Sequence, residues 1–210
     1  MPTYATETTG ASGGSPASID YVTTQGVVLA ALAEPPTGSA LGGHVAETVA
    51  PTSATAALTM TSGSLSIAAI RLVAGQTVQG CGFVTSTTAG ATMTHWWTAL
   101  LDSGYACRAV SADQTSGAIA ASTWFTQAFA AAYTATYTGI YYLGVMVAAA
   151  TIPTLCGATA PLAAMVTGTG APAPLLGGVS STSQTTAPVA GTTVFIAPTA
   201  AAVTPYLFAY

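Results

Sequence analysis

Few residues in this chain are equipped for bond chemistry. Gly10-Ala-Ser-Gly-Gly14 matches the G-x-S-x-G pattern of serine hydrolases. That mechanism needs a strand before the serine and a helix after it, which together hold the nucleophile on a strained turn. The segment is Gly/Ser-rich and neither element is expected there, so no nucleophile is assigned to it. His44 and His95 are the two histidines. A general base must reach a nucleophile or substrate, and nothing adjacent to His95 supplies one. Its neighbours are Trp96 and Trp97, so a packed, hydrogen-bonded ring is expected. Asp102 and Asp113 could be imagined as the carboxylate pair of a glycosidase. Both fall at turn positions, where aspartate bonds to local backbone N–H groups. No catalytic residue is assigned and no enzyme activity is expected.

The other candidates bind rather than react. Trp96, Trp97 and Trp124 offer large aromatic faces. Sugar-binding β-proteins stack such rings on pyranoses and add polar groups nearby. If Trp96 and Trp124 point outward with Asp102 or Asp113 close by, the four residues form a glycan site. Tryptophan in a central strand otherwise serves as core or interface packing. Cys81, Cys107 and Cys156 are an odd set, so they cannot all pair within the chain. They read as small buried thiols, with a Cys81–Cys107 bridge as the sharper alternative. No CxxC or Cys/His cluster suggests zinc, and neither a metal nor a cofactor is expected.

Composition narrows the classes further. The chain has 210 residues, of which 4% are charged and 51% hydrophobic; ordinary soluble domains carry about 25% charged residues. Lys and Asn are absent, and Arg71 and Arg108 are the two cations. Two isolated arginines cannot form the basic stripe that nucleic acid requires. Mean hydropathy is +0.60, yet the most apolar stretch, residues 139–150, is shorter than the ~20 residues of a spanning helix. No membrane partner is expected. The opening residues lack basic and apolar leader regions, so no Sec-type signal is expected. A Thr/Ser/Ala/Gly surface has little repulsion to hold copies apart, which suits a subunit tiled into an assembly.

These residues need elements to position them. Residues 1–57 are rich in Thr, Gly, Ser and Pro and read as an extended arm that orders against neighbouring subunits. From about residue 65, short apolar segments recur between Gly-containing turns: 65–72, 77–85, 93–101, 105–111, 123–129 and 140–147. That spacing predicts an all-β, jelly-roll-like antiparallel β-sandwich over residues 58–210. Asp102-Ser103-Gly104 reads as a hairpin turn, with Gly104 supplying positive φ. Cys81 and Phe83 alternate with Gly80 and Gly82, and glycine in a strand marks close approach of another backbone. Both faces of 139–147 and of 96–101 are partly apolar, as in a strand covered on both sides, within a packed sandwich or at a subunit interface. Residues 150–190 read as a long loop. The chain returns as strands at 192–197 and 205–210.

The runs Leu72–Thr85, Thr94–Asp102, Ser111-Ala-Asp-Gln114, Gly139–Val147 and Ile152-Pro-Thr-Leu155 resemble virion proteins of phages that infect actinobacteria. Such proteins are described as head fibre, capsid decoration or minor tail proteins. The resemblance covers residues 60–157 and returns at Pro205–Tyr210. It implies a jelly-roll surface domain of a tailed-phage particle, on head or tail. The expected partners are further copies, as a homotrimer, and the major capsid protein or another virion protein. The alternative is a tail-tip or surface module that binds a host glycan.

Overall fold

The computed structural model describes residues 43–159 and 177–210. Most of the expected arm, Gly10–Gly14 included, lies outside the described residues, as does 160–176 of the expected loop. The fold is all-β and antiparallel throughout. Its strands are β1 (Ala46–Glu47), β2 (Ala56–Thr59), β3 (Ser64–Leu72), β4 (Thr77–Val84), β5 (Ala91–Leu101), β6 (Cys107–Val110), β7 (Trp124–Thr134), β8 (Gly139–Thr151), β9 (Thr154–Thr159), β10 (Gly177–Val179), β11 (Thr199–Ala200), β12 (Val203–Pro205) and β13 (Leu207–Ala209). A four-stranded sheet runs β1-β13-β4-β7, a six-stranded sheet β11-β10-β3-β8-β5-β6, and a three-stranded sheet β12-β9-β2.

Strand alternation accounts for the core. On β3, Ala68, Ile70 and Leu72 join Tyr141, Leu143 and Val145 of β8 on one face of the six-stranded sheet. Opposing them are Cys81 and Phe83 of β4 and Leu207 and Ala209 of β13, so one core is shared between two sheets. The other face carries Leu65, Ile67, Trp97, Leu101 and Met146. It is covered by irregular chain following β10. Ser180 and Ser181 bond with Leu65 of β3 through the backbone. Phe195 stacks on Trp97 at 6.1 Å, and Trp97 Nε1 donates to the Thr185 carbonyl at 3.0 Å. This burial on both sides is why β8 reads as a continuous apolar run.

Several local readings differ in detail. Residues 192–197 form no strand. They run beside β6 through a Val194–Ala106 bridge, with Phe195 pointing in and Val194 and Ile196 out. Within the stretch read as a loop, 154–159 is β9, because Leu155 packs into the core and Cys156 lies opposite Ala57. Within residues 43–57, Ala46–Glu47 is strand and β2 begins at Ala56, and Val45 donates to Ala209 O and Thr48 to Leu207 O beside β13. In the β5–β6 hairpin the left-handed residue is Tyr105 (φ 63°), not Gly104. Tyr105 N donates to Asp102 O, closing a turn followed by a bulge. The Tyr105 ring is held 5.2 Å from Tyr142. The three cysteines are free thiols, so Cys81 and Cys107 are not bridged. Among the described residues no helix is long and apolar enough to cross a membrane.

Candidate functional site

The outer face of the four-stranded sheet is built by register. Glu47 pairs with Phe208, Phe208 with Gly82, and Gly82 with Thr126. Directly paired residues share a face, so these four form a row across all four strands. Gly82 has no side chain, and the Phe208 ring lies over it. A Cβ built on Gly82 would meet Phe208 Cζ, Cε2 and Cε1. Gly80, two residues back, is likewise covered by the ring of Tyr210. The sequence predicts another backbone close to these glycines; instead the Phe208 ring lies against Gly82, and at Gly80 the Tyr210 ring approaches together with the Gln127 carbonyl.

Around Phe208 the rings form a cluster. His44 stacks on it at 4.1 Å with planes 19° apart. Trp124, which pairs with Val84 and so faces outward, lies 5.4 Å from Phe208 and edge-on to Tyr206 at 5.7 Å. Phe208 and Tyr206 are each only 2% exposed, whereas Trp124 is 57% exposed. One indole therefore stands open on a foundation of buried rings. His44 Nδ1 lies 2.6 Å from Glu47 Oε1. The carboxylate accepts, so the ring proton is on Nδ1. Beside Phe208 is a cleft of about 360 Å³ lined by Gly43, His44, Gln79, Thr126, Phe208 and Tyr210.

The four residues proposed from sequence as a glycan site are distributed differently. Trp124 faces solvent. Trp96 is buried in the shared core, edge-on to Phe83 at 5.8 Å. Asp102 serves its turn: Oδ1 accepts from Gly104 N and Ala106 N, and Oδ2 accepts from Arg108 Nε and Nη2 at 2.9 and 2.6 Å. Asp113 Oδ2 accepts from His95 Nδ1 at 2.8 Å and from Ala187 N at 3.4 Å, which ties the covering chain to the sheet edge. The other oxygen, Asp113 Oδ1, is buried without a hydrogen-bond partner among the described residues. Trp96, on β5, thus packs against the inner side of the four-stranded sheet, whereas Trp124 stands on its outer face. Sequence reasoning missed His44, Gln79, Thr126, Phe208 and Tyr210. The one available signal was the alternation of Tyr206, Phe208 and Tyr210. Among the described residues no group of three or more His, Cys, Asp or Glu side chains could hold a metal ion.

Comparison with known proteins finds no matching family model, no matching curated protein and no matching solved structure.

Burial sets the electrostatics. The phenols of Tyr142 and Tyr206 are pushed well above their ordinary value of 10.0, first by burial. The nearby Tyr105 hydroxyl adds to this at Tyr142, and the Glu47 carboxylate adds to it at Tyr206. Burial raises Cys107 from 9.0 to about 11, against a small opposing pull from Arg108, and raises Cys81 further still. These acids hold their protons in the folded chain at a pH where the unfolded chain releases them. Stability is therefore fully present below the ordinary thiol and phenol values and falls as pH rises through 9.0 to 10.0 and beyond. Thermal melts across alkaline pH should show the midpoint falling steadily from that range upward. A flat midpoint there would mean these groups titrate alike in both states.

Proposed function

We propose that this chain is a structural subunit on the surface of a tailed-bacteriophage particle. On this reading its antiparallel sheets form a jelly-roll-like sandwich that decorates the capsid through subunit contacts, as a homotrimer. The observation that carries the reading is how little free charge the described surface offers. Each described carboxylate is engaged internally: Glu47 by His44, Asp102 by Arg108, and Asp113 by His95. Strand β7 adds to the case. It edges the four-stranded sheet, and among the described residues its outer side is met at Phe129 alone, by an isolated bridge from Ser111 just after β6. From Trp124 to Thr134 it contains no Lys, Arg, Asp, Glu or Pro. Natural edge strands are usually guarded by such residues; an unguarded one suits pairing with another subunit. Association then rests on apolar burial and backbone pairing, worth about 25 cal/mol per Å² of apolar area before association costs.

Such contacts are nearly blind to salt. Raising salt from about 0.1 M to about 1 M shortens the screening length from ~10 to ~3 Å. Sedimentation velocity should show an oligomer whose mass is unchanged across that range. Washed particles, labelled with an antibody to the chain, should keep their copies. A chain that stays monomeric at all concentrations, or that leaves the particle wholesale in high salt, would overturn the proposal.

A further inference from the structure

We propose that the outer face of the four-stranded sheet binds a neutral pyranose sugar, stacked on Trp124 and hydrogen-bonded in the adjoining cleft by Gln79, Thr126 and Tyr210. The proposal is independent of the assembly reading above.

Four observations converge on it. First, the open ring and the cleft are contiguous. Thr126 lies two residues from Trp124 on the same face of β7, and His44 and Phe208, both cleft-lining, lie 6.2 and 5.4 Å from the indole. Second, the indole is exposed yet braced: Tyr206 meets it edge-on at 5.7 Å and Phe208 lies tilted at 5.4 Å, while Trp124 remains 57% exposed. A flat, fixed apolar face matches the C–H face of a pyranose. Third, beside the Phe208 and His44 rings the cleft is lined by three uncharged polar side chains, Gln79, Thr126 and Tyr210. An amide, a threonine hydroxyl and a phenol can each both donate and accept, as a ring of sugar hydroxyls requires. The volume, about 360 Å³, falls in the small-molecule range of roughly 300–1,000 Å³.

Fourth, the charges discriminate among ligands. The described cations, Arg71 and Arg108, belong to β3 and β6 of the six-stranded sheet, and the four-stranded sheet contributes Glu47 instead. An anionic ligand such as a phosphate or uronate would find a carboxylate and no cation. A quaternary ammonium is held best by several open ring faces, but Tyr206 and Phe208 are 2% exposed, and of the described rings on this face Trp124 alone is widely open at 57%. A neutral sugar needs one open ring and polar neighbours, which is what the face provides.

The full chain is first applied to an array of neutral and acidic glycans. The neutral oligosaccharide with the strongest signal is then titrated by tryptophan fluorescence. Trp96 and Trp97 are buried, so Trp124 reports contact from solvent. We expect saturable binding that is insensitive to salt. Trp124→Ala should weaken it at least about tenfold, Trp124→Phe less, and Thr126→Val about fivefold, one hydrogen bond's worth. Unaltered melting of each variant shows that the fold persists. The proposal is overturned by binding to no neutral glycan, by binding to acidic glycans alone, or by full affinity in Trp124→Ala. Sedimentation of the same variants is read in parallel. If Trp124→Ala disperses the oligomer while no glycan binds, the indole is a subunit contact, and the sugar site falls while the assembly proposal stands.

Discussion

Gly82→Ala should cost about 3 kcal/mol, the upper end for overpacking a filled site, and lower the melting temperature by roughly 6–12 °C. The reason lies in the row Glu47–Phe208–Gly82–Thr126. The added methyl occupies space held by the outer edge of the Phe208 ring. A flexible side chain would swing aside, but this ring cannot. His44 is stacked on it, and Trp124, Tyr206 and Tyr210 lie around it at 5.4, 6.0 and 6.5 Å. Yielding means expelling the ring from a site where it is 2% exposed, or displacing β13 from between β1 and β4. Phe208→Ala alone should cost about 3–5 kcal/mol. The decisive measurement is the double mutant. With the ring gone, Gly82→Ala should add less than about 0.5 kcal/mol, because its penalty exists only through Phe208. An equal penalty in both backgrounds would show that the glycine answers to something else.

Trp97→Ala should be as damaging, about 3–5 kcal/mol, with a local signature. Trp97 is fully buried on the second face of the six-stranded sheet, stacked on Phe195 and bonded to the Thr185 carbonyl. Both partners belong to the irregular chain that covers this face. Removing the indole leaves a large void and unfastens the cover at two points. Hydrogen exchange should accelerate across 180–196 well before the β3–β8 ladder is affected. Trp97→Phe keeps a ring but leaves the carbonyl without its donor, for about 1 kcal/mol. If Trp97→Ala lowers global stability with exchange across 180–196 unchanged, the indole is core filling and not a fastener.

Much of the strand inventory was legible in the sequence, because apolar alternation is a local signal. Segments 65–72, 77–85, 93–101 and 140–147 correspond closely to β3, β4, β5 and β8. The partly apolar character of both faces of 139–147 and 96–101 points to a strand covered on two sides, in a packed sandwich or at a subunit interface; within the chain, both faces are covered. Alternation could not say which face met the other sheet and which met the cover. Trp96 and Trp97 are adjacent and both buried, in different cores. Composition also misleads where a segment borrows its order. Residues 192–197 look like a strand yet run as a covering chain, and the left-handed turn residue is a tyrosine held by its ring contact with Tyr142. The aromatic face was the least legible part. His44 sits in a stretch without periodicity, and the phenylalanine it stacks on is far along the chain. That pairing exists only through the β1–β13 register. Trp124 was named from its residue type, and its neighbours could not be.

The placement of β13 has a consequence for biosynthesis. It lies inside the four-stranded sheet, and Thr48 is fastened to Pro205 across 157 residues of chain. At roughly 5–20 residues per second, a ribosome needs on the order of ten seconds after finishing β4 to deliver its neighbour. Once β7 has been made and has paired with β4, the nascent chain carries an open seam, with the slot on the other side of β4 empty until β13 arrives. Contacts this distant also make closure slow once synthesis ends. Productive folding of this chain therefore depends on keeping the seam from being filled by a strand of another nascent chain, a task suited to a holding chaperone or to low expression temperature.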